Sequence, residues 1–99
     1  DKIILISDAL PIAGSGTKEM TFCSKKIYLK DDCATDATGT LAGSAMLLPE
    51  IVQKLVKNNI TSLENAVKMA SNSCQLFNIN LSNQYILWDD NLNIEVVKY

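Results

Sequence analysis

Histidine and arginine are both absent from this 99-residue chain, and all nine of its cationic side chains are lysines. Without histidine, the chain lacks the commonest metal ligand and the usual base near neutral pH. Without arginine, and with a formal net charge of −2, it has no basic surface suited to gripping phosphates, so we expect no nucleic-acid binding. A hydrolytic site built from this chain would have to obtain its histidines from elsewhere.

Cysteines and long apolar runs are also scarce. The three cysteines are an odd number without C-x-x-C spacing, which indicates neither a disulfide framework nor a zinc site, so we expect reduced thiols and a cytoplasmic location. The apolar run Ile3–Ile6 is much too short to span a bilayer, and we expect no membrane association. Hydrophobic residues make up 47% and charged residues 20% of the chain, a composition typical of one small globular domain.

The pattern of apolar and turn-forming residues predicts both strands and helices. Strands are predicted at 18–23 and 26–30 around Ser24-Lys25, followed by a turn at Asp31-Asp32, and again at 85–88 and 94–97. A loop bracketed by Gly39 and Gly43 precedes a helix that starts near Met46 and ends at Asn58-Asn59. Thr61 and Glu64 match a capping box for a second helix ending between 71 and 78.

Asp8 is unusual because it follows the hydrophobic residues of the opening segment after a single serine. Ile3–Ile6 would be apolar on both faces, as in a strand of a parallel sheet that is covered on both sides. Parallel neighbours require long crossovers, and the chain offers no second strand of this kind. We therefore expect the partner strands to belong to polypeptide outside this sequence. Other acidic pairs, such as Asp89-Asp90, are expected to be solvated turns.

The ordered set Ile6-Ser7-Asp8-Ala9, Gly39-Thr40-Leu41-Ala42-Gly43-Ser44, Glu50–Val56 and Ser62–Ser71 resembles the C-terminal part of the N-acetylglucosamine-6-phosphate deacetylase family, within the metal-dependent amidohydrolase superfamily. The resemblance implies an α/β fold: the C-terminal fragment of a (β/α)8 TIM barrel, with its last strand and helices, plus strands of a small satellite β domain. Residues 1–17 would form the last barrel strand and active-site loop, 18–38 a β excursion, 39–79 the substrate loop and helix pair, and 80–99 the terminal strands.

The same resemblance implies site residues. Asp8, at the end of a barrel strand, would be the catalytic general base and then the general acid. Leu41, Ala42, Gly43 and Ser44 would bind the N-acetylhexosamine, with the glycine allowing close approach of the sugar and the following helix presenting free N–H groups. A divalent metal, zinc or a similar ion, would be held by upstream residues, and we expect no metal ligand in this chain.

The expected partners are therefore an amino-sugar phosphate, the remainder of the barrel and a second copy of the chain, and the isolated chain is expected to be inactive. The segment Asn80–Gln84 is shorter than the family's glycine-containing turn. Two alternatives stay open. One is a cyclic-amide hydrolase of the same superfamily, and the other is a non-catalytic β-rich binding or assembly module.

Overall fold

The computed structural model describes residues 2–80 and 83–98, and the chain divides into two compact units. One unit comprises Ile6–Ile51, and the other comprises the chain from Val52 onward together with the residues before Ile6. The sequence analysis singled out Asn80–Gln84 as a shortened segment. Two of its residues, Leu81 and Ser82, lie outside the described residues. Neither described helix has the length and apolar character needed to cross a bilayer.

The first unit contains a four-stranded antiparallel sheet in sequential order, made of β1 (Glu19–Phe22), β2 (Lys25–Lys30), β3 (Cys33–Thr35) and β4 (Leu41–Ser44). The strands predicted at 18–23 and 26–30 are present as β1 and β2, but the turn between them lies one residue earlier than predicted. Cys23 and Ser24 form a two-residue loop with φ of 48° and 63°. Two positive φ angles give the mirror-image turn whose twist suits a hairpin.

The core of this unit lies against the sheet. Ile12, Ile27, Ala34 and Ala45 are buried together, with Leu10, Met20 and Phe22 packed against them. Ile12 is 1% exposed and is the largest of these fully buried side chains. Ile27 comes from the middle of β2, where the neighbouring positions face the opposite side of the sheet, as strand periodicity requires.

Helix α1 (Leu48–Lys57) and helix α2 (Leu63–Leu76) follow β4. Both predicted helices are confirmed. α1 ends before Asn58-Asn59, where Asn59 has a φ of 55°. The N-cap of α2 is Ser62 rather than the predicted Thr61, because the Ser62 hydroxyl accepts a hydrogen bond from Asn65 N at 3.2 Å. The capping-box pattern at Thr61 was therefore wrong by one position.

The chain ends in a hairpin of β5 (Gln84–Trp88) and β6 (Ile94–Lys98), as predicted. Its loop is organised by Asp89, whose carboxylate accepts hydrogen bonds from Asn91 N, Asn93 N and Asn93 Nδ2 at 2.8–2.9 Å. These bonds, led by the one from the Asn93 side chain, lower the pKa of Asp89. The prediction of a solvated turn at this acidic pair is confirmed.

The predicted opening strand does not form within the described residues: 2–8 belong to no sheet. A strand requires a neighbouring backbone, and here Leu5 N instead donates to the Met69 carbonyl while Asn72 Nδ2 donates to the Ile3 carbonyl. Ile3 and Ile6 are exposed. The described fold is thus α/β with an antiparallel sheet, a hairpin and two helices, and the barrel itself stays a prediction.

Candidate active site

Asp8 lies where the extended opening segment enters the first unit. Its φ is 46°, in the left-handed region that aspartate tolerates better than most residues. The side chain is exposed, and it forms no hydrogen bond or ion pair with any of the residues in 2–80 and 83–98. An aspartate that merely completed a turn would bond to nearby backbone N–H groups, as Asp36 and Asp89 do. Within the described part of the chain, the Asp8 carboxylate therefore has no bond that a ligand would have to replace.

The backbone next to Asp8 pairs with the end of β4. Ala9 and Ser44 form a parallel β-bridge, and Leu10 N donates to the Ser44 carbonyl at 2.9 Å. These bonds fix the residues directly after Asp8 alongside Gly43 and Ser44. The residues that directly follow Asp8 therefore lie against the end of the 41–44 segment.

Residues 41–44 form strand β4 rather than the predicted loop. Their backbone pairs with β3, with a register shift between Ala34 and Thr35. The glycines favoured a loop in the sequence, but pairing with Cys33–Thr35 satisfies the backbone groups of this segment and makes it a strand. The side chains of Leu41 and Ala42 are exposed, whereas Gly43 and Ser44 are half-buried.

The two residues that precede the helix after β4 have backbone N–H groups that donate hydrogen bonds to side chains. Met46 N donates to the Ser44 hydroxyl at 3.2 Å, and Leu47 N donates to Glu50 Oε2 at 2.6 Å. Glu50 acts as the acidic half of a capping box, three residues after the N-cap position. Both amides precede α1, so the expectation that the start of this helix presents free N–H groups to the sugar stays a prediction. The Ser44 hydroxyl, which accepts one bond, keeps its own proton for donation.

Asp36 is close in sequence to β4 but is committed to a turn. Its carboxylate accepts hydrogen bonds from Thr38 Oγ1 at 2.6 Å, Thr38 N at 2.9 Å and Thr40 N at 3.0 Å. The bond from the Thr38 side chain is the largest of the causes that lower the pKa of Asp36. The Asp36 carboxylate therefore stabilises the β3–β4 connection through Oδ1, which accepts all three bonds.

No group of three or more potential metal ligands occurs among the residues that the structure describes. Asp8 supplies one free carboxylate, whereas a catalytic zinc site takes three protein ligands and leaves a position for water. This donor set does not fit a divalent metal by itself.

Leu10 was not singled out in the sequence, although its side chain occupies the space above Gly43. The two residues are far apart along the chain, and no local pattern in the sequence indicates their contact. The contact between Leu10 and Gly43 can be identified only from the pairing of residues 9–10 with the end of β4.

The chain is similar to known amino-sugar phosphate deacetylases in sequence, and to a solved structure of one of them in fold. No family model matches the chain. Over 73 residues, 72% of the chain, it is 29% identical to N-acetylglucosamine-6-phosphate deacetylase from Haemophilus influenzae. It is 30% identical over 71 residues, again 72% of the chain, to N-acetylgalactosamine-6-phosphate deacetylase from Escherichia coli O157:H7. The chain spans 19% of the length of each of these two relatives.

The fold has a close counterpart among solved structures. The crystal structure of N-acetylglucosamine-6-phosphate deacetylase from Pasteurella multocida aligns with a TM-score of 0.79 and 20% identity. The alignment covers 94% of this chain and 27% of that structure. The resemblance predicted from the sequence is confirmed: this chain is similar to one segment of the N-acetylhexosamine-6-phosphate deacetylases.

Proposed function

We propose that this chain is part of an amidohydrolase that converts N-acetylglucosamine 6-phosphate and water into glucosamine 6-phosphate and acetate. The observation that carries the proposal is the Ala9–Ser44 bridge, which brings the residue directly after Asp8 to the end of β4. The similarity to amino-sugar phosphate deacetylases supports the same reaction. We propose a cytoplasmic location, for which the three free cysteines are the supporting feature.

Asp8 is the proton-transfer group in this proposal. Its carboxylate takes a proton from the water that attacks the acetamide carbonyl, and a carbon–oxygen bond forms. When the carbon–nitrogen bond breaks, the same group gives the proton to the departing amine, which leaves acetate and the free amino sugar. Exposure of Asp8 and the absence of a hydrogen-bond partner among the described residues suit a group that must reach substrate.

Leu41, Ala42, Gly43 and Ser44 orient the N-acetylhexosamine in this proposal. The hydroxyl of Ser44 has a proton to donate, and the exposed side chains of Leu41 and Ala42 offer an apolar surface to the sugar ring or the acetyl methyl. β4 is a rigid strand held on one side by β3. A rigid support keeps substrate contacts within the narrow tolerances that catalysis needs.

A divalent metal can enter this reaction only with ligands from outside the described residues, because Asp8 alone does not fit a metal site. We therefore propose that such ligands come from the remainder of a (β/α)8 barrel. In that barrel, residues 3–7 would be the last strand. Ile3 and Ile6 are exposed, which supports the proposal that additional polypeptide covers this segment in the full-length protein.

Self-association of the isolated chain follows from the same exposed side chains. Tyr85, Ile86 and Leu87 of β5 are each more than half exposed, and a two-stranded hairpin is marginally stable without a third strand or a cover. We therefore propose that the isolated chain forms homo-oligomers. Sedimentation velocity at micromolar concentration should show species larger than 10.9 kDa, whereas a single monomeric boundary would contradict this proposal.

The test of the proposed function is Asp8→Asn in the full-length protein. We expect acetate release from N-acetylglucosamine 6-phosphate to fall by about 10² to 10⁴-fold, the usual contribution of general acid–base catalysis. Asp90→Asn is the matched control, because Asp90 is also an exposed aspartate but lies in the β5–β6 loop. Equal turnover of the Asp8→Asn variant and the unmodified protein would refute the role of Asp8. Assays with the N-acetylgalactosamine epimer would show which sugar is preferred.

A further inference from the structure

Leu10 fills the space in which residue 43 would otherwise carry a side chain. A Cβ atom at position 43 would lie 2.9 Å from Leu10 Cγ and 3.0 Å from Leu10 Cδ1. Carbon atoms in favourable contact are about 3.5–4.0 Å apart, so any side chain at this position would push Leu10 away. Gly43 is not among the glycines with positive φ. Glycine is required at position 43 because of the close approach of Leu10 rather than because of the backbone conformation.

Leu10 is itself held at both its backbone and its side chain. Its N–H donates to the Ser44 carbonyl at 2.9 Å, and its side chain packs against the cluster of Ile12, Ile27, Ala34 and Ala45. Asp8 lies two residues earlier and has no side-chain bond of its own among the described residues. The position of the Asp8 carboxylate therefore depends on how the segment that follows it rests on β4.

We propose that Leu10 is a positioning residue whose contact with Gly43 sets the distance between the Asp8 segment and β4. The proposal rests on the proposed function of Asp8 and deepens it. Proton transfer requires the acid or base to lie within about 2.6–3.2 Å of its partner atom. An added methyl group at position 43 would lie 2.9–3.0 Å from side-chain atoms of Leu10, and a displacement of a catalytic group by about 1 Å can lower turnover by about 10²-fold.

The experiment is a double-mutant cycle in the full-length protein, with Gly43→Ala, Leu10→Ala and the combination of both. We measure kcat and KM for N-acetylglucosamine 6-phosphate together with the thermal melting temperature. Gly43→Ala should lower kcat at least about 10-fold. Because Gly43 also belongs to the proposed sugar-binding segment, Leu10→Ala, which leaves that segment unchanged, should lower kcat with KM changed less than about 3-fold, the signature of a lost transition-state interaction. The double variant should recover kcat above that of Gly43→Ala, because Leu10→Ala removes the atoms that clash with the new methyl group.

Leu29→Ala is the control for truncation of a leucine in the same sheet. Leu29 lies in β2, which pairs with β1 and β3 rather than with the Asp8 segment. The kcat of the Leu29→Ala variant should match that of the unmodified protein, whereas Leu10→Ala alone should lower kcat. If Gly43→Ala does not fold, Leu10→Ala is compared with Met20→Ala, because Met20 packs against the same cluster as Leu10 but lies in β1. A fall in kcat for Leu10→Ala alone would support the positioning role, and equal kcat for the two variants would refute it.

Three outcomes would overturn the inference: an unchanged kcat for Gly43→Ala, a double variant no better than Gly43→Ala, or equal kcat for Leu10→Ala and Leu29→Ala. The Asp8→Asn variant distinguishes failure of the positioning role of Leu10 from failure of the proposed function. If Asp8→Asn loses activity while the Leu10 variants keep it, only the positioning role of Leu10 is wrong. If Asp8→Asn keeps full activity, the proposed role of Asp8 is itself wrong.

Discussion

Ala9 pairs with Ser44 in a parallel β-bridge, whereas every pair of named strands in the described residues is antiparallel. Parallel neighbours cannot be joined by a tight turn and need a long connection. Strands β1, β2 and β3 form part of that connection, because they lie between Ala9 and Ser44 along the chain. The β excursion thus returns the chain to Asp8 and brings β4 to the candidate site.

Replacement of Gly43 by alanine should destabilise the fold. The added methyl group must displace Leu10 from the cluster around Ile12, and overpacking of this kind costs about 1–3 kcal/mol. Urea unfolding followed by circular dichroism measures the change. Ala42→Ser, at the exposed neighbouring position, should stay within about 0.5 kcal/mol. Equal free energies of unfolding for the two variants would contradict the close contact between Leu10 and residue 43.

Truncation of Ile12 should cost much more than truncation of an exposed isoleucine. Ile12 is 1% exposed and lies in the main cluster of the first unit, so Ile12→Ala should lose about 2–5 kcal/mol. Ile60 is 67% exposed, and Ile60→Ala should change stability by less than about 0.5 kcal/mol. The measurement is chemical denaturation at a common protein concentration. Similar losses for both variants would show that the core does not lie where the structure places it.

The N-terminus of α2 should depend on Ser62 rather than on Thr61. Ser62→Ala removes the hydroxyl that accepts a bond from Asn65 N and should cost about 1 kcal/mol. Thr61→Ala serves as the matched control, since Thr61 precedes the cap, and its effect should be smaller. Thermal unfolding of both variants distinguishes them. A larger loss for Thr61→Ala would favour the capping box that the sequence pattern indicated.

The β5–β6 hairpin should lose stability in acid through Asp89. Hydrogen bonds from Asn93 and Asn91 hold the pKa of Asp89 below its unfolded value of about 3.9. The stabilisation is therefore fully present above the unfolded pKa and is lost as the pH falls through the lower, folded pKa. Carboxyl chemical shifts of Asp89 between pH 7 and 2 report the folded pKa directly.

Asp89→Asn provides the complementary measurement, because this variant has no charge to lose. Its hairpin should be less stable at neutral pH and should change less between pH 5 and 2, as followed by amide hydrogen exchange of residues 84–98. Asp90→Asn should keep the acid sensitivity of the unmodified protein. A normal pKa for Asp89 would contradict the three hydrogen bonds of this loop.

Local patterns were sufficient for most of the secondary structure. Short strand-like runs between turn-forming residues predicted β2, β5 and β6. The spacing of Ile51, Val52, Leu55 and Val56 predicted α1, because it reports which face of the helix is covered. β4 was missed because Gly43 has weak strand propensity, and the strand exists only through pairing with β3. Residues 3–7 gave the opposite error. Their strand propensity predicted a strand, but no neighbouring backbone pairs with them in a sheet within the described residues.

Asp8 and residues 41–44 were selected from the sequence by resemblance, and their roles stay predictions. The amino-acid sequence by itself determined the helices, the hairpins, the lack of histidine and the similarity to amino-sugar phosphate deacetylases. Only the tertiary structure decided that Ala9 pairs with Ser44, that Leu10 covers Gly43 and that Asp8 stays unbonded within the described residues. These are contacts between residues distant in sequence, and such contacts depend on how whole elements pack rather than on the preferences of neighbouring residues.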